Sequence, residues 1–324
     1  MSHAATKSPI GLAAAAASLA LVLAPGCGTG MTDAQPHLLR LAAQRSADLD
    51  SENGMWAFAL MGDVLSLSGE TMNGMPPNLL DLNGLSLTGV STAEFTAWFA
   101  ANPVTADMVM RYLTRCALPA SASISYEFGG LLYTWTGALG LAPVWAADYP
   151  IPEVEQQLVS ACLAAHANKY GAKVPISVLG RRSDDVPIEV DAEELATFPI
   201  AEGCFFGNLF LGQGMYSGSD RAAPLTDAES SSRACAMADR TDPTAPSNCP
   251  PIVYAGSCSD LCQPSAEGLF YDSCTLNGVV YRPLSTRIKL TALFTCGDGI
   301  CDFTESCGTG ASWDSCSLDC GPCF

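Results

Sequence analysis

The sequence predicts an α+β fold, a disulfide-rich core of helices and antiparallel strands. Three observations carry that expectation. Hydrophobic residues fill 48% of the 324 positions, enough to bury a core, while 29 Gly and 21 Pro punctuate the chain too densely for a helical bundle. Apolar spacing follows the helical period in some stretches and a period of two in others. The 15 cysteines supply cross-links where apolar sequence runs short. Only 15% of residues are charged, and 33 Asp+Glu against 15 Lys+Arg give a formal net charge of −18. Phosphate backbones and anionic headgroups repel such a chain, which argues against nucleic-acid partners and against electrostatic membrane attachment.

Residues 1–26 read as a signal peptide. Lys7 is their only charge, and Ile10 to Leu23 is an uninterrupted run of 14 apolar and small residues. A permanent span needs about 20, so the run fits the core of a cleaved signal. The following Leu23-Ala24-Pro25-Gly26-Cys27 resembles the bacterial lipobox. The resemblance implies lipidation at Cys27 and membrane attachment through the N-terminal lipid. Gly28 after the cysteine is similar to lipoproteins sorted to the outer membrane or cell surface. Pro25 and the placement of Leu23 depart from the lipobox pattern, so ordinary cleavage is the alternative. Removing Cys27 leaves 14 cysteines, an even number that can pair completely in an oxidising compartment.

Residues 27–66 form a tether with a short helix, in which Leu38, Leu39, Leu41 and Ala42 share one side. Over 67–91 a five-residue period recurs, as in Met72-Asn73-Gly74, Leu82-Asn83-Gly84 and Leu87-Thr88-Gly89. It resembles pentapeptide-repeat proteins, which implies a short β-helical coil capping the core or an extended loop against it. A Gly-rich linker is the alternative.

The core is expected over 92–295. Ser91 and Glu94 make a capping box for a helix burying Phe95, Trp98 and Phe99 and stopping near Asn102-Pro103. Thr105 or a neighbour restarts a second helix with Met108, Val109, Tyr112 and Leu113 inward. Ile124, Tyr126 and Phe128 alternate, then Gly129-Gly130 turns the chain back through Leu132 to Trp135, a hairpin pattern. Pro152 opens a helix to about Asn168 with Leu158, Val159, Cys162 and Leu163 inward, its Glu153 and Glu155 favoured by the helix dipole. Val174 to Leu179 reads as a strand, 184–194 as an acidic solvated stretch, and 212–275 as a loop-rich segment. Gly278–Arg282 and Arg287–Phe294 read as the last strands.

Candidate chemistry is sparse. Past the signal only His37 and His166 remain, with His37 in the tether. His166 follows Cys162 by four residues, so both can share a helix face, the spacing of an imidazole-activated thiol. The competing reading pairs Cys162 with Cys116 in a disulfide, and Cys204 can replace either partner. Glu127, Asp148, Asp184, Asp185, Glu193, Glu194 and Glu202 offer carboxylates for hydrolysis, but sequence supplies no distance between them. Glu202 with Phe205 and Asn208, and Trp135 with Trp145, can floor a carbohydrate groove. Core packing is the plainer account of those aromatics.

The C-terminal 296–324 is a Cys-rich module with Cys296, Cys301, Cys307, Cys316, Cys320 and Cys323. Its Cys296-Gly297-Asp298-Gly299-Ile300-Cys301 and Asp319-Cys320-Gly321-Pro322-Cys323 resemble a small repeat on exported proteins of myxobacteria and relatives. Six cysteines can make three bridges inside the unit. Asp298, Asp302, Glu305 and Asp319 are calcium-ligand candidates, with a metal-free disulfide knot as the other reading and no further cofactor expected. Cys235, Cys249, Cys258, Cys262 and Cys274 are disulfide candidates in the core. Trp98-Phe99, Asp107 to Leu113, Cys116-Ala117-Leu118-Pro119 and Gly140-Leu141-Ala142-Pro143, with the pentads, resemble uncharacterised myxobacterial-type exported lipoproteins. The expectation is a cell-surface lipoprotein acting on an unknown protein or carbohydrate partner as an interaction or structural module. A secreted hydrolase of polysaccharide or peptide is the alternative.

Overall fold

The computed structural model describes residues 89–168, 174–220, 252–289 and 316–322, with short stretches at 52–53, 55–56, 64–65, 71–72, 85, 229–230, 294–295, 297 and 299–301. The expected signal peptide, Cys27, His37 and most of the expected tether lie outside the described residues, as do Cys235, Cys249, Cys296, Cys307 and Cys323. Of the pentad region only Thr71–Met72, Leu85 and 89–91 are described; Thr71–Met72 pairs with Val64–Leu65, and buried Leu85 donates its N–H to Trp145 O at 3.1 Å.

Helix α1 spans Ala93–Ala101 and buries Phe95, Trp98 and Phe99. Its cap is Thr92, not Ser91: Thr92 Oγ1 accepts from Phe95 N at 3.0 Å, while Ser91 ends a short 3-10 turn. The one-residue shift leaves Glu94 inside the first turn, where its charge meets the positive helix end. Asn102 then serves two helices. It is the C-cap of α1 and the N-cap of α2 (Pro103–Ala117), and its Oδ1 accepts from Thr105 N at 3.1 Å. Pro103 at the first position gives up an N–H that the helix does not use.

Strands β1 (Ser123–Phe128) and β2 (Leu131–Thr136) form the expected hairpin. Gly129 and Gly130 take φ of 61° and 77°, the positive values a type I′ turn demands. One hairpin face carries Tyr126, Phe128, Tyr133 and Trp135, which meet Phe99 of α1 at ring-centroid distances of 4.9–6.1 Å. After the short helix α3 (Pro143–Ala146), α4 runs over Glu153–His166 from its cap at Pro152. It ends before Asn168, because Ala167–Asn168 pairs in parallel with Met55–Trp56.

The second half of the chain is built of β3 (Val174–Gly180), α5 (Ala192–Thr197), β4 (Ile200–Gly207), β5 (Met215–Ser219), β6 (Ile252–Ser257), α6 (Cys258–Leu261), β7 (Cys262–Pro264), β8 (Tyr271–Leu276), β9 (Val279–Tyr281) and β10 (Leu284–Ile288). A six-stranded sheet has the order Glu52–Asn53, β3, β10, β4, β5, β6. Every neighbouring pair is antiparallel except β5 with β6. β7, β8 and β9 form a separate antiparallel sheet.

Helix α4 covers β4, β5 and β10 on one face, and α2 packs over α4 with the hairpin and α1 beyond it. Cys204, Phe206, Cys258, Cys262, Cys274 and Tyr281 form a second core between the two sheets. The loop-rich 212–275 also holds strands: among its described residues are β5, β6, β7 and most of β8. β5 reads Met-Tyr-Ser-Gly-Ser and is buried at four of five positions, so small residues replace the alternation that marks a half-exposed strand. The strand expected at 287–294 begins earlier, as β10 at 284–288, for the same reason: it lies between β3 and β4 and is covered on both faces; 290–293 lie outside the described residues, and Phe294–Thr295 pairs with Glu229–Ser230. The acidic stretch also holds a helix start, where Asp191 caps α5 by accepting from Glu194 N at 2.7 Å.

Disulfide bonds hold this architecture. Cys116 on α2 bonds Cys162 on α4, and Cys204, the alternative partner, bonds Cys258 instead. Cys262 bonds Cys274, and Cys301 bonds Cys320 within the C-terminal segment. The Cys116–Cys162 bridge closes a separation of 46 residues, and a loop of that size is worth about 2–4 kcal/mol in restricting the unfolded chain. The paired substitution Cys116→Ala/Cys162→Ala is expected to lower unfolding free energy by that amount, read as a drop in the urea midpoint, with the slope rising as the unfolded chain expands.

Candidate functional site

Helix α4 is buried along nearly its whole length, including Glu155, Gln157, Ser160 and His166. A buried polar group without a partner costs about 1–3 kcal/mol, so each of these must be matched. Glu155, 0% exposed, accepts from Val144 N at 2.9 Å and Trp145 N at 3.1 Å. The carboxylate thus caps α3, and its role reaches beyond the dipole of its own helix. Gln156 Oε1 accepts from Asn208 Nδ2 at 3.1 Å, and Gln157 Oε1 accepts from Arg282 N at 2.8 Å. Ser160 Oγ donates to Gln156 O and accepts from Leu209 N, both at 2.8 Å. The first two turns of α4 therefore fasten three different segments: α3, the turn after β4 and the residue before β10.

Asn208 is part of this wiring rather than of a sugar groove. Its Oδ1 accepts from Phe210 N at 3.1 Å and Leu211 N at 3.2 Å, organising the turn after β4. Glu202 lies at the opposite end of β4, 2% exposed, where the register with β10 shifts between Thr286 and Arg287. Thr286 pairs with Gly203 and Arg287 with Ala201, which leaves Glu202 as the extra residue of a bulge. Its carboxylate accepts from Thr286 Oγ1 at 2.7 Å, and its carbonyl accepts from Asp220 N at 3.0 Å. Six strand residues, about 20 Å, separate Glu202 from Asn208. Phe205 between them is fully buried beneath α4. The fold does not gather these three residues around one cavity.

The tryptophans are also apart. Trp135, 1% exposed, donates Nε1–H to Asp107 Oδ1 at 2.8 Å, while Trp145 packs edge-on against Phe210 at 5.7 Å. Both rings are core groups with no free face for a sugar.

Cys162 and His166 do share a helix face, with Sγ and Nδ1 3.6 Å apart. The sulfur, however, is bonded to Cys116, and His166 Nδ1 stands 2.9 Å from Cys162 O, beneath the Tyr112 ring. Two sulfur groups have metal-ligand spacing, Cys116/Cys162/His166 and Cys204/Cys262/Cys274. Every cysteine in them belongs to a disulfide and offers no thiolate.

Asp184 and Asp185 reach Arg182 and Arg282 as surface ion pairs, and Arg181 joins Asp272 at 2.7 Å and Glu267 at 3.3 Å. These pairs pin the loop after β3 to the β7–β9 sheet. In the C-terminal segment Asp319 accepts from Gly297 N and Gly299 N, so both of its oxygens receive backbone amides of the Gly-Asp-Gly turn. Asp298, Asp302 and Glu305, the other calcium-ligand candidates, lie outside the described residues.

No protein family, curated protein or solved structure matches this chain, so the site is read from its own chemistry.

Removing the Glu155 cap should be costly: Glu155→Ala leaves two amides of α3 unpaired, and a loss of roughly 1–3 kcal/mol is expected by chemical denaturation. A pH effect should arise at the junction of the two sheets. The Tyr271 phenol donates to Asp220 Oδ1 at 3.1 Å, and burial, reinforced by the Asp220 charge, pushes its pKa up to about 12. An unfolded tyrosine titrates near about 10. Between those values the unfolded chain holds fewer protons, so the contribution is complete below about pH 10 and disappears as pH rises through about 12. Urea midpoints measured across that range should fall, and Asp220→Asn should bring Tyr271 ionisation, followed by ultraviolet absorbance, to lower pH.

Proposed function

We propose that this chain is an exported, lipid-anchored cell-surface protein that acts as an interaction or structural module and has no catalytic role. It fits the uncharacterised myxobacterial-type lipoproteins that the pentads and the C-terminal repeat resemble. The observation that carries the reading is the engagement of its reactive groups in holding the fold. The Cys162 sulfur ties α4 to α2, and Glu202 accepts a buried hydroxyl bond inside the sheet. Paired disulfides also suit an oxidising compartment. Attachment rests on lipid at Cys27. Among the described residues no helix is long and apolar enough to cross a membrane. The partner in this reading is a protein or carbohydrate met by the exposed surface, and the acidic balance disfavours nucleic acid.

Metabolic labelling with a clickable fatty acid tests the anchor. Wild-type protein should carry the label and fractionate with membranes, and Cys27→Ser should do neither; an unlabelled mature wild-type chain overturns it. Catalysis is tested with a panel of polysaccharide and peptide substrates. Turnover by the wild type that is lost in Glu202→Gln with the melting temperature preserved would replace this proposal by the hydrolase reading.

A further inference from the structure

On the sheet face opposite α4, two disulfides lie against one another. Cys204 on β4 is bonded to Cys258 at the start of α6, and Cys262, the first residue of β7, is bonded to Cys274 on β8. Cys262 Sγ is 3.6 Å from Cys204 Sγ, and the sulfurs of Cys204, Cys262 and Cys274 all fall within 4.8 Å of each other. Phe206, Tyr216 and Tyr281 pack around the cluster, and Cys262, 3% exposed, is the member nearest to solvent. The backbone of β5 makes room for it. A Cβ on Gly218 would stand 2.7 Å from Cys204 Sγ and 2.9 Å from Cys258 Sγ.

The two bridges differ in what holds their ends. Cys262 and Cys274 face each other directly in the β7–β8 ladder. Opening their bond therefore leaves both strands paired and Cys262 still beside Cys204. A nucleophile fixed at contact distance from its target reacts as an intramolecular group, with much of the entropic barrier already removed. A thiolate attacks a disulfide sulfur directly, and the displaced thiol leaves.

We propose that these four cysteines form one thiol–disulfide exchange site whose substrate is a dithiol reductant, with Cys262 the attacking sulfur and Cys204 the sulfur attacked. The dithiol first reduces Cys262–Cys274, giving up two electrons and two protons and becoming a disulfide itself. Cys262 then loses its proton, and its thiolate forms a bond to Cys204 Sγ as the Cys204–Cys258 bond breaks. Cys258 departs as a thiolate and takes up a proton. The product has one bridge, Cys204–Cys262, and two thiols, Cys258 and Cys274. The tether of β4 has moved four residues along the chain, from the start of α6 to its end, and α6 is freed from Cys204.

Partial reduction of the folded wild-type protein tests this. The protein is treated with a limiting amount of dithiothreitol, trapped with an alkylating agent before denaturation, and mapped by mass spectrometry. Cleavage on the N-terminal side of Asp260 separates Cys258 from Cys262. The expected partly reduced species contains Cys204–Cys262 with alkyl groups on Cys258 and Cys274. A species that keeps Cys204–Cys258 and carries the label only on Cys262 and Cys274 overturns the proposal, as does simultaneous opening of both bridges. Single variants provide a second measurement without reductant. Cys274→Ser should hold Cys204–Cys258 and Cys204–Cys262 in comparable amounts, and Cys262→Ser should hold Cys204–Cys258 alone. Cys204–Cys258 as the sole bridge in folded Cys274→Ser, or a Cys204–Cys274 bridge in Cys262→Ser, also counts against it.

Discussion

Helix α4 must be buried and yet carries two glutamates, two glutamines and a serine in its first two turns. That conflict organises the molecule. The apolar residues Leu158, Val159 and Leu163 drive the helix between the sheet and α2, and once there its polar groups draw partners from other parts of the chain. The answers are the amides of α3, Asn208 after β4, the Leu209 amide and the Arg282 amide before β10. Each of these loops has its path set by an acceptor on α4. The hydrophobic effect puts the helix in place, and hydrogen-bond satisfaction fixes the turns around it.

The two sheet faces are stabilised by different means. Under α4 the packing is aliphatic and aromatic, with a single bridge to α2. On the other face the layer is a small three-stranded sheet whose β7 and β9 have three residues each, and cysteine fills much of the space between. Short strands bury little apolar area, so covalent links and the Arg181 ion pairs compensate there. The same shortage of hydrocarbon brings two bridges into contact around Cys204.

Much of the first half of the chain is legible in the sequence because its signals are local. The Gly129-Gly130 turn, the period of α2 and the start of α4 at Pro152 each rest on neighbouring residues, and helix period placed Cys162 on an inward face where Cys116 could meet it. The second half was harder to read. β5 and β10 are buried on both faces, which erases the alternation that strand reading needs, and Ser/Gly-rich β5 resembles a loop. The role of Glu155 depends on α3, ten or more residues away in sequence, and a first-turn acid looks like an ordinary dipole partner. In the sequence Glu202 stands out for its aromatic neighbours. Its actual setting, a bulge opposite Thr286, follows from a register that only the assembled sheet defines.

The position of β10 has a consequence for the order in which the chain can assemble. β3 and β4 are close in sequence but do not pair; β10, from residues 284–288, sits between them. As the chain emerges from its N-terminus, one edge of β3 and one edge of β4 remain open until nearly the whole polypeptide is available. Exposed strand edges recruit other strands, including those of neighbouring molecules. The sheet is therefore closed only when β10 arrives, and its vulnerability to aggregation lasts from the synthesis of β3 to that of β10.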